Sequence, residues 1–316
     1  MLKYSAEIYD LQIMTIRSRV LSLAITIMAT AAIAITPTSA VAQSSNADFA
    51  RTQQSSSQLV AGSTSYDLIH RSFTQAGVNR EYHIAIPAFF DATRSYPVII
   101  GFGGWQETAT RFRDYSDLEQ AARGNAIIIY AQGVNNAWAG APYASTTMSQ
   151  DINYARAAIT DVITNFSGDA DRVYATGLSN GGGMAAALSC HAPELVHAIA
   201  TVAGAFYNPT VTGCMGSSVP TLLMHGTDDG TIAYGGGTRH GAPYRSVYQT
   251  FESFAFRNGC TTAIINQATE HYGTTTFRPA YCFHDTEIVR VNGGGHTWFN
   301  DPRAEDVVWE FFRRQG

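Results

Sequence analysis

The chain has 316 residues, of which 45% are hydrophobic and 14% are charged, and its formal net charge is -5. It is long and apolar enough to bury a large core, which excludes an intrinsically disordered protein. Charges of neither sign form a long block, which argues against binding to nucleic acid or to an anionic membrane surface.

The first 42 residues have the pattern of a secretory signal peptide. Arg17 and Arg19 precede a short apolar stretch, and small residues follow it up to Gln43. This order predicts export with cleavage before Gln43, and hence an extracellular protein without a membrane anchor. A transmembrane anchor is the alternative, but the apolar stretch is short for one. Acidic residues near the start suit a signal peptide poorly, so Met14 is an alternative start.

A polar segment and one folded domain follow the predicted signal peptide. Residues 43–65 are rich in Ser and Gln and lack periodicity, which predicts a flexible leader. No internal repeat and no second linker interrupts the rest of the sequence. The sequence therefore predicts a single domain over residues 66–316.

The domain begins with segments typical of strands. "YDLIHRSFTQ" and "REYHIAIPA" predict an antiparallel hairpin, and the apolar runs "YPVIIGFGG" and "AIIIYAQG" predict strands buried on both faces. Between these two runs, "RFRDYSDLEQAARGN" predicts a helix that ends at Gly124.

Helices and strands then alternate to the end of the chain. "SQDINYARAAITDVITNFSG" predicts an amphipathic helix closed by Gly168. The later predicted strands are "RVYATG", "HAIATVAGAF", "VPTLLMHG" and "TEIVRVNG". The later predicted helices are "GGGMAAALSC", "RSVYQTFESFAFRNG" and "RAEDVVWEFFRRQG". This alternation predicts a mostly parallel sheet with helices on both faces and the first hairpin as an antiparallel edge.

One serine lies among several glycines. In "ATGLSNGGGM", Ser179 lies between Gly177 and Gly181, directly after a predicted strand and before a predicted helix. Glycines at these positions allow the close backbone approach of a sharp strand-to-helix turn. The Gly-x-Ser-x-Gly pattern at such a turn is the nucleophile elbow of the α/β-hydrolase fold. A chance match of this short pattern is the alternative.

An acid and a histidine follow the serine in the order that this fold uses. The strand in "TLLMHGTDDG" ends at Asp228 and Asp229, and the strand in "EIVRVNGGGHTWFN" runs through three glycines to His296. Taken singly, these are an ordinary turn and an ordinary loop histidine. Together with Ser179 they predict a catalytic triad. Adjacent side chains of an extended segment point to opposite sides, so only one of the two aspartates should reach His296.

Two backbone N–H groups should hold the oxyanion that forms during acyl transfer. The first is that of Asn180, next to the serine. The second should come from "GFGGW" after an earlier strand, with Gly104 as first choice and Gly103 and Trp105 beside it. Trp105 and Trp298 are candidates for lining the substrate pocket, and a place in the core is the alternative for Trp298.

The four cysteines of this exported chain predict disulfides. Proximity in sequence favours Cys190–Cys214 and Cys260–Cys282, while the two other pairings and buried free thiols stay open. No C-x-x-C spacing and no helical pair of histidines occurs, so no metal site is predicted.

The motifs resemble a known group of enzymes. "DRVYATGLSNGGGMA", "HGTDDGTIAYGGG" and "GGGHTWFN" are similar to motifs of the secreted esterases grouped with polyhydroxybutyrate depolymerases and type-1 carbohydrate esterases, which include feruloyl and acetylxylan esterases. The resemblance runs from about Tyr66 to the C-terminus. It implies an α/β-hydrolase fold, no cofactor, and hydrolysis of carboxylic esters. It also implies Ser179 as nucleophile, Asp229 as acid and His296 as base.

The sequence departs from this group at two places. Phe102 stands where the group has the histidine of a His-Gly pair, and Ala233 stands where it usually has a proline. The first departure loosens the assignment of the oxyanion loop, and neither touches the triad.

These observations predict a secreted, monomeric serine esterase that forms an acyl-enzyme with a small or polymeric ester. A polyhydroxyalkanoate, a feruloyl ester and an acetylated sugar are all open as substrates. An extracellular acyltransferase with the same triad is one alternative, and product analysis with an added alcohol would separate the two. A non-catalytic binding module on a hydrolase scaffold is another alternative, and labelling with a fluorophosphonate would exclude it.

Overall fold

The computed structural model describes residues 65–261, 269–271 and 273–316. These residues lie within one compact unit. The predicted signal peptide and all but the last residue of the predicted leader lie outside the described residues. In the described part of the chain, no helix is long and apolar enough to cross a membrane.

Twelve strands are present in these segments. They are β1 (Tyr66–Gln75), β2 (Val78–Pro87), β3 (Tyr96–Phe102), β4 (Ile127–Ala131), β5 (Gly168–Leu178), β6 (Ala198–Val202), β7 (Thr221–Gly226), β8 (Gly237–Arg239), β9 (Ala242–Tyr244), β10 (Thr269–His271), β11 (Thr274–Phe277) and β12 (Thr286–Val291).

Ten of the described strands form one sheet in the order β1-β2-β4-β3-β5-β6-β7-β12-β11-β10. The strands from β4 to β12 in this order are parallel, and β1 and β2 form an antiparallel edge. The predicted α/β fold with its N-terminal hairpin is therefore confirmed. A second antiparallel edge of β10 and β11, and a separate hairpin of β8 and β9, were not predicted. These four strands have only three or four residues each, too few to show a period.

Seven α-helices accompany the strands in the described residues. They are α1 (Ala109–Ser116), α2 (Leu118–Ala122), α3 (Met148–Asn165), α4 (Asn180–His191), α5 (Asn208–Val211), α6 (Val247–Arg257) and α7 (Ala304–Arg313).

The single helix predicted before Gly124 is wrong, because it is divided into α1 and α2. Asp117 lies between them in the left-handed conformation with φ 48°, which aspartate adopts more readily than most residues. The break lets Phe112 and Leu118 both pack into the same face of the core.

Apolar side chains fill the space on both faces of the sheet. On one face Ile100 and Ile129 pack with α3, α4 and α6, and on the other Ile99 and Ile128 pack with α1, α2 and α7. Successive side chains of a strand point to opposite faces, which is why these central strands read as continuous apolar runs.

A buried ion pair joins the edge hairpin to the loop between β4 and α3. The Arg80 guanidinium on β2 lies 2.8 Å from Asp151 at the start of α3, and both side chains are almost fully buried. The other carboxylate oxygen accepts hydrogen bonds from the Ala139 N–H and the Thr146 hydroxyl. The pair therefore fixes the backbone of the loop that leads to α3.

Both disulfides join cysteines that are neighbours in sequence. Cys190 at the end of α4 is bonded to Cys214, and Cys260 after α6 is bonded to Cys282. The predicted pairing is confirmed.

Helix α4 lies directly against the end of β3, with no side chain between them. A Cβ placed on Gly181 would lie 2.1 Å from the Phe102 carbonyl oxygen and 2.5 Å from that of Gly103. A Cβ on Gly177 would lie 2.6 Å from the same Phe102 oxygen. The glycines on both sides of Ser179 are therefore required by backbone contact.

We expect Gly181→Ala to destabilise the fold by about 3 kcal/mol or more, because its methyl group meets backbone that cannot move aside. The matched control is Gly216→Ala, since Gly216 has open space around it and an ordinary φ. This control should change the free energy of unfolding by at most about 0.5 kcal/mol. Urea denaturation of both variants measures the difference, and equal stabilities would contradict the contact.

Candidate active site

Ser179 occupies the sharp turn between β5 and α4. Its backbone has φ 55° and ψ -117°, a conformation that residues other than glycine rarely adopt. Its N–H donates to the Val202 carbonyl at 3.0 Å, and its own carbonyl accepts from the N–H groups of Gly183 and Ala205 at 3.0 and 2.8 Å. Three backbone hydrogen bonds thus hold the strained turn, as expected of a nucleophile elbow.

Of the two adjacent aspartates after β7, the structure brings Asp229 to the histidine. Its Oδ2 lies 2.7 Å from Nδ1 of His296, and the Asp229 side chain is fully buried. The Asp228 side chain is exposed, and its Oδ1 accepts a hydrogen bond from the Thr227 hydroxyl at 3.1 Å.

The Asp229 carboxylate accepts hydrogen bonds on both oxygens. The N–H groups of Thr231 and Ile232 donate to Oδ1 at 2.8 and 2.7 Å, and Nε2 of His225 lies 3.1 Å from Oδ2. Burial alone would raise the pKa of this carboxyl, but the hydrogen bonds from His225, His296 and the Ile232 backbone outweigh it and hold the pKa well below its usual range. Asp229 is therefore a carboxylate at neutral pH, which can stabilise an imidazolium beside it.

The loop that carries the histidine crosses the end of the sheet. Its parent strand β12 lies three strand spacings from β5, or about 14 Å. The Gly294 carbonyl accepts from the Asp228 N–H at 3.0 Å, and a Cβ on Gly226 would lie 2.1 Å from that same oxygen. Further along, the Trp298 ring meets the Phe112 ring of α1 edge-on at 5.5 Å. The loop thus passes over β7 towards β3 and β5, and glycine is required where the two backbones touch.

In the loop after β3, the amide predicted to hold the oxyanion is not free. The Gly104 N–H donates to the Glu107 carboxylate at 2.8 Å, and the Gly103 carbonyl accepts from the Trp138 indole N–H at 2.9 Å. Gly104, the first choice as oxyanion donor, is therefore already bonded within the protein. The Trp105 N–H has no acceptor among the described residues. The sequence could not show that Glu107 folds back onto the loop.

The first residue of α4 links the serine turn to this loop. The Asn180 N–H belongs to the first helical turn, where the helix offers it no acceptor. Its side-chain amide accepts from the Trp138 N–H at 2.7 Å and donates to the Trp138 carbonyl at 3.1 Å. Trp138 thus connects Asn180 with Gly103, so both predicted oxyanion segments are fixed to one buried residue.

An aromatic cluster of Trp105, Tyr143 and His240 lies beside the serine. The rings of Trp105 and Tyr143 stack at 4.3 Å, and the His240 ring meets them edge-on at 4.9 and 5.2 Å. A Cβ on Gly104, next to Trp105, would lie 3.5 Å from Cβ of Ser179. Sequence analysis missed Tyr143 and His240, which lie in loops without a motif.

Comparison with known proteins gives consistent relatives. No family model matches the chain. The feruloyl esterase C of Emericella nidulans is 28% identical over 252 residues, and the match covers 75% of this chain and 86% of that protein. The probable feruloyl esterase C of Aspergillus niger is 27% identical over 253 residues, covering 74% and 83%. The chain is a homologue of the feruloyl esterases. The resemblance to type-1 carbohydrate esterases is thereby confirmed, and the protein is a carboxylic ester hydrolase.

Solved structures agree on the fold of this esterase. The acetyl xylan esterase from Aspergillus awamori has a TM-score of 0.59 at 17% identity, over 78% of this chain and 99% of that one. Thermogutta terrifontis esterase 2 has a TM-score of 0.51 at 15% identity, over 78% and 91%. At this identity the likeness shows the α/β-hydrolase fold alone.

The two departures from the group's pattern have local explanations in this esterase. Phe102 is fully buried and packs edge-on against Trp138 at 4.9 Å, so an apolar contact replaces whatever a histidine would make there. The Ala233 N–H donates to the Tyr244 hydroxyl at 2.9 Å. A proline at this position could not form that bond.

Trp298 does not line the surface of the esterase. Its side chain is only 4% exposed, and its indole N–H donates to Glu305 at 3.1 Å. The structure therefore places Trp298 in the core beneath the histidine loop, in contrast to the prediction, whereas Trp105 is half-buried beside Ser179.

We expect Asp229→Asn to lower kcat by several orders of magnitude. An amide keeps the shape but cannot stabilise the imidazolium, and the same change costs about 10⁴-fold in another serine hydrolase. Asp228→Asn is the matched control on the neighbouring residue and should cost at most about threefold, because its side chain is exposed. The measurement is kcat on one soluble ester at neutral pH, and a larger loss in Asp228→Asn would reverse the assignment.

Proposed function

We propose that the protein is an extracellular serine esterase in which Ser179, His296 and Asp229 form the catalytic triad. The observation that carries this proposal is the 2.7 Å contact between the buried Asp229 carboxylate and Nδ1 of His296. It fixes the imidazole so that the other ring nitrogen, Nε2, is free to act as a base. The strained elbow of Ser179 and the course of the histidine loop across the strand ends support the same assignment.

Acylation begins when Nε2 of His296 takes the hydroxyl proton of Ser179. The Ser179 Oγ attacks the ester carbonyl, and the carbonyl oxygen becomes an oxyanion. Collapse of this intermediate breaks the bond to the alcohol, which leaves with the proton held on His296. The acyl group stays on Ser179 as an ester. Asp229 stabilises the imidazolium during both proton transfers.

Deacylation repeats these steps with water. His296 takes a proton from a water molecule, the hydroxide attacks the acyl-serine, and the carboxylic acid is released as the proton returns to Ser179. An alcohol in place of water would give an acyltransferase, and no observation on this chain favours that acceptor.

The oxyanion is held by the N–H groups of Asn180 and Trp105. Neither N–H group has an acceptor among the described residues. The N–H of Gly104, which the sequence favoured as second donor, is instead bonded to Glu107. Removing one such donor commonly costs about 10²- to 10³-fold in kcat.

The substrate class that this site favours is an ester of an aromatic acid, of the feruloyl type. The aromatic cluster includes Trp105 of the oxyanion loop itself and offers the rings of Trp105, Tyr143 and His240 to an aryl group. Aromatic pairs contribute about 0.5–1.5 kcal/mol beyond the burial of their area. An acetyl group is too small to use this surface. The names of the curated relatives agree with this choice.

Export is part of the proposal. The N-terminal signal pattern predicts it, and both disulfides are of the kind that persists in an oxidising compartment.

We expect Ser179→Ala to abolish ester hydrolysis and labelling by a fluorophosphonate while leaving the thermal unfolding midpoint nearly unchanged. Alanine fills the same space, and a triad without its nucleophile retains only about 10⁻⁶ of its turnover in a related case. Hydrolysis of p-nitrophenyl acetate and mass spectrometry of the labelled protein measure both effects. Activity within tenfold of the parent would refute the triad.

We expect His240→Ala and Tyr143→Leu to lower kcat/KM for methyl ferulate by about threefold to tenfold, as the loss of one aromatic contact implies. Hydrolysis of p-nitrophenyl acetate should change by less than twofold, because its acyl group does not reach the cluster. His284→Ala is the control, since His284 is also exposed but lies before β12, at the opposite end of that strand from His296. An equal loss on both substrates would show that the cluster does not select the acyl group.

A further inference from the structure

We propose that His225 is a positioning residue that stays neutral, shares the Asp229 carboxylate with His296, and so sets how far activity extends into the acidic pH range. This inference rests on the proposed function, because it assumes that Asp229 and His296 carry the reaction.

His225 is the last side chain of β7 before the acid loop, and it is 1% exposed. Asp229 is the fourth residue after it, and the turn of the loop brings the two together. Its Nε2 lies 3.1 Å from Oδ2 of Asp229, the same oxygen that contacts Nδ1 of His296 at 2.7 Å. One carboxylate oxygen therefore lies within hydrogen-bonding distance of ring nitrogens from two histidines.

The contacts of His225 determine its tautomer. Nε2 lies 2.8 Å from the Ile232 carbonyl as well as 3.1 Å from Asp229. Both neighbours are acceptors, so Nε2 must carry the proton and divide it between them. Nδ1 is buried without a hydrogen-bond partner among the described residues. A second proton there would place an unpaired N–H and a positive charge in the core, which is costly. His225 therefore stays neutral.

A neutral donor on Asp229 limits how strongly that carboxylate holds the proton of His296. Each hydrogen bond to a carboxylate withdraws part of its negative charge from its other partners. With His225 in place, the imidazolium of His296 is stabilised less, and the base recovers its free form at lower pH. Without His225, Asp229 holds the imidazolium more strongly, and activity is lost at a higher pH on the acidic side.

Other charged groups near His225 do not account for this effect. The Tyr234 ring meets His225 edge-on at 6.0 Å, and burial raises the pKa of its hydroxyl, which keeps it neutral. Arg290 lies opposite His225 on β12, and arginine keeps its charge at every relevant pH. Asp228 is exposed on the loop itself. All three are common to every His225 variant, so they cancel in a comparison.

The test compares the kcat/KM profiles of His225→Leu and His225→Gln with that of the parent from pH 4 to 9. Leucine fills a similar volume without a donor, and glutamine retains an N–H at nearly the reach of Nε2. We expect His225→Leu to shift the acidic limb of the kcat/KM profile to higher pH by about half a pH unit or more. We expect His225→Gln to leave it within about 0.2 unit of the parent. A purely structural role would lower the plateau of both variants and leave the limb in place, and that result would overturn the proposal.

A second measurement does not depend on the folding of a variant. In the ¹⁵N-labelled parent protein, the ring nitrogens of His225 should show the Nε2–H tautomer from pH 5 to 9 without titrating. A titrating ring, or a proton on Nδ1, would overturn the proposal. Failure of the proposed function is distinguishable, since Asp229→Asn would then retain activity. Failure of this inference alone leaves Asp229→Asn inactive and the limb of His225→Leu unmoved.

Discussion

The close approach of α4 to the end of β3 is the constraint on which the rest of the site depends. Gly181 touches the carbonyl oxygens of Phe102 and Gly103 without a side chain between them. This contact places the serine turn and the glycine loop at van der Waals distance, which is the spacing that the proposed oxyanion site requires. Any larger residue at Gly181 would push the two elements apart.

Buried polar groups then fix what this contact brings together. The Trp138 backbone donates one hydrogen bond to the Asn180 side chain and accepts one from it, and the Trp138 indole N–H donates to the Gly103 carbonyl. Glu107 holds the Gly104 amide and also accepts from the Tyr115 hydroxyl at 2.6 Å, where burial and this bond raise the pKa of the tyrosine well above its usual range. The Gly104 amide is thus held within the protein, whereas no acceptor among the described residues faces the Trp105 amide. In the proposed mechanism this amide is a pre-arranged donor, which needs no reorganisation during the reaction.

The sequence was sufficient to predict the elements that depend on local patterns of residues. Buried parallel strands read as apolar runs, and the fold's chain order placed Ser179, Asp229 and His296 after three of them. What failed depended on contacts between distant segments. The Glu107 carboxylate that occupies the Gly104 amide, the burial of Trp298 against Phe112, and the pairing of Tyr143 with Trp105 have no signal in any short window. The helix break at Asp117 is a smaller case, since the local pattern was helical and packing against the sheet decided it.

The Arg80–Asp151 pair has a consequence for how the substrate range can change. It uses the two carboxylate oxygens of Asp151 to hold the edge hairpin, the Ala139 amide and the Thr146 hydroxyl in one arrangement. The loop that presents Tyr143 is therefore immobilised from outside the site, and substitutions within it would have to leave those bonds intact. The turn that presents His240 has no such attachment to Asp151. If the aromatic cluster binds the acyl group as proposed, a laboratory-evolved variant with a new acyl preference should accumulate its changes between β8 and β9, while the Tyr143 loop stays as it is.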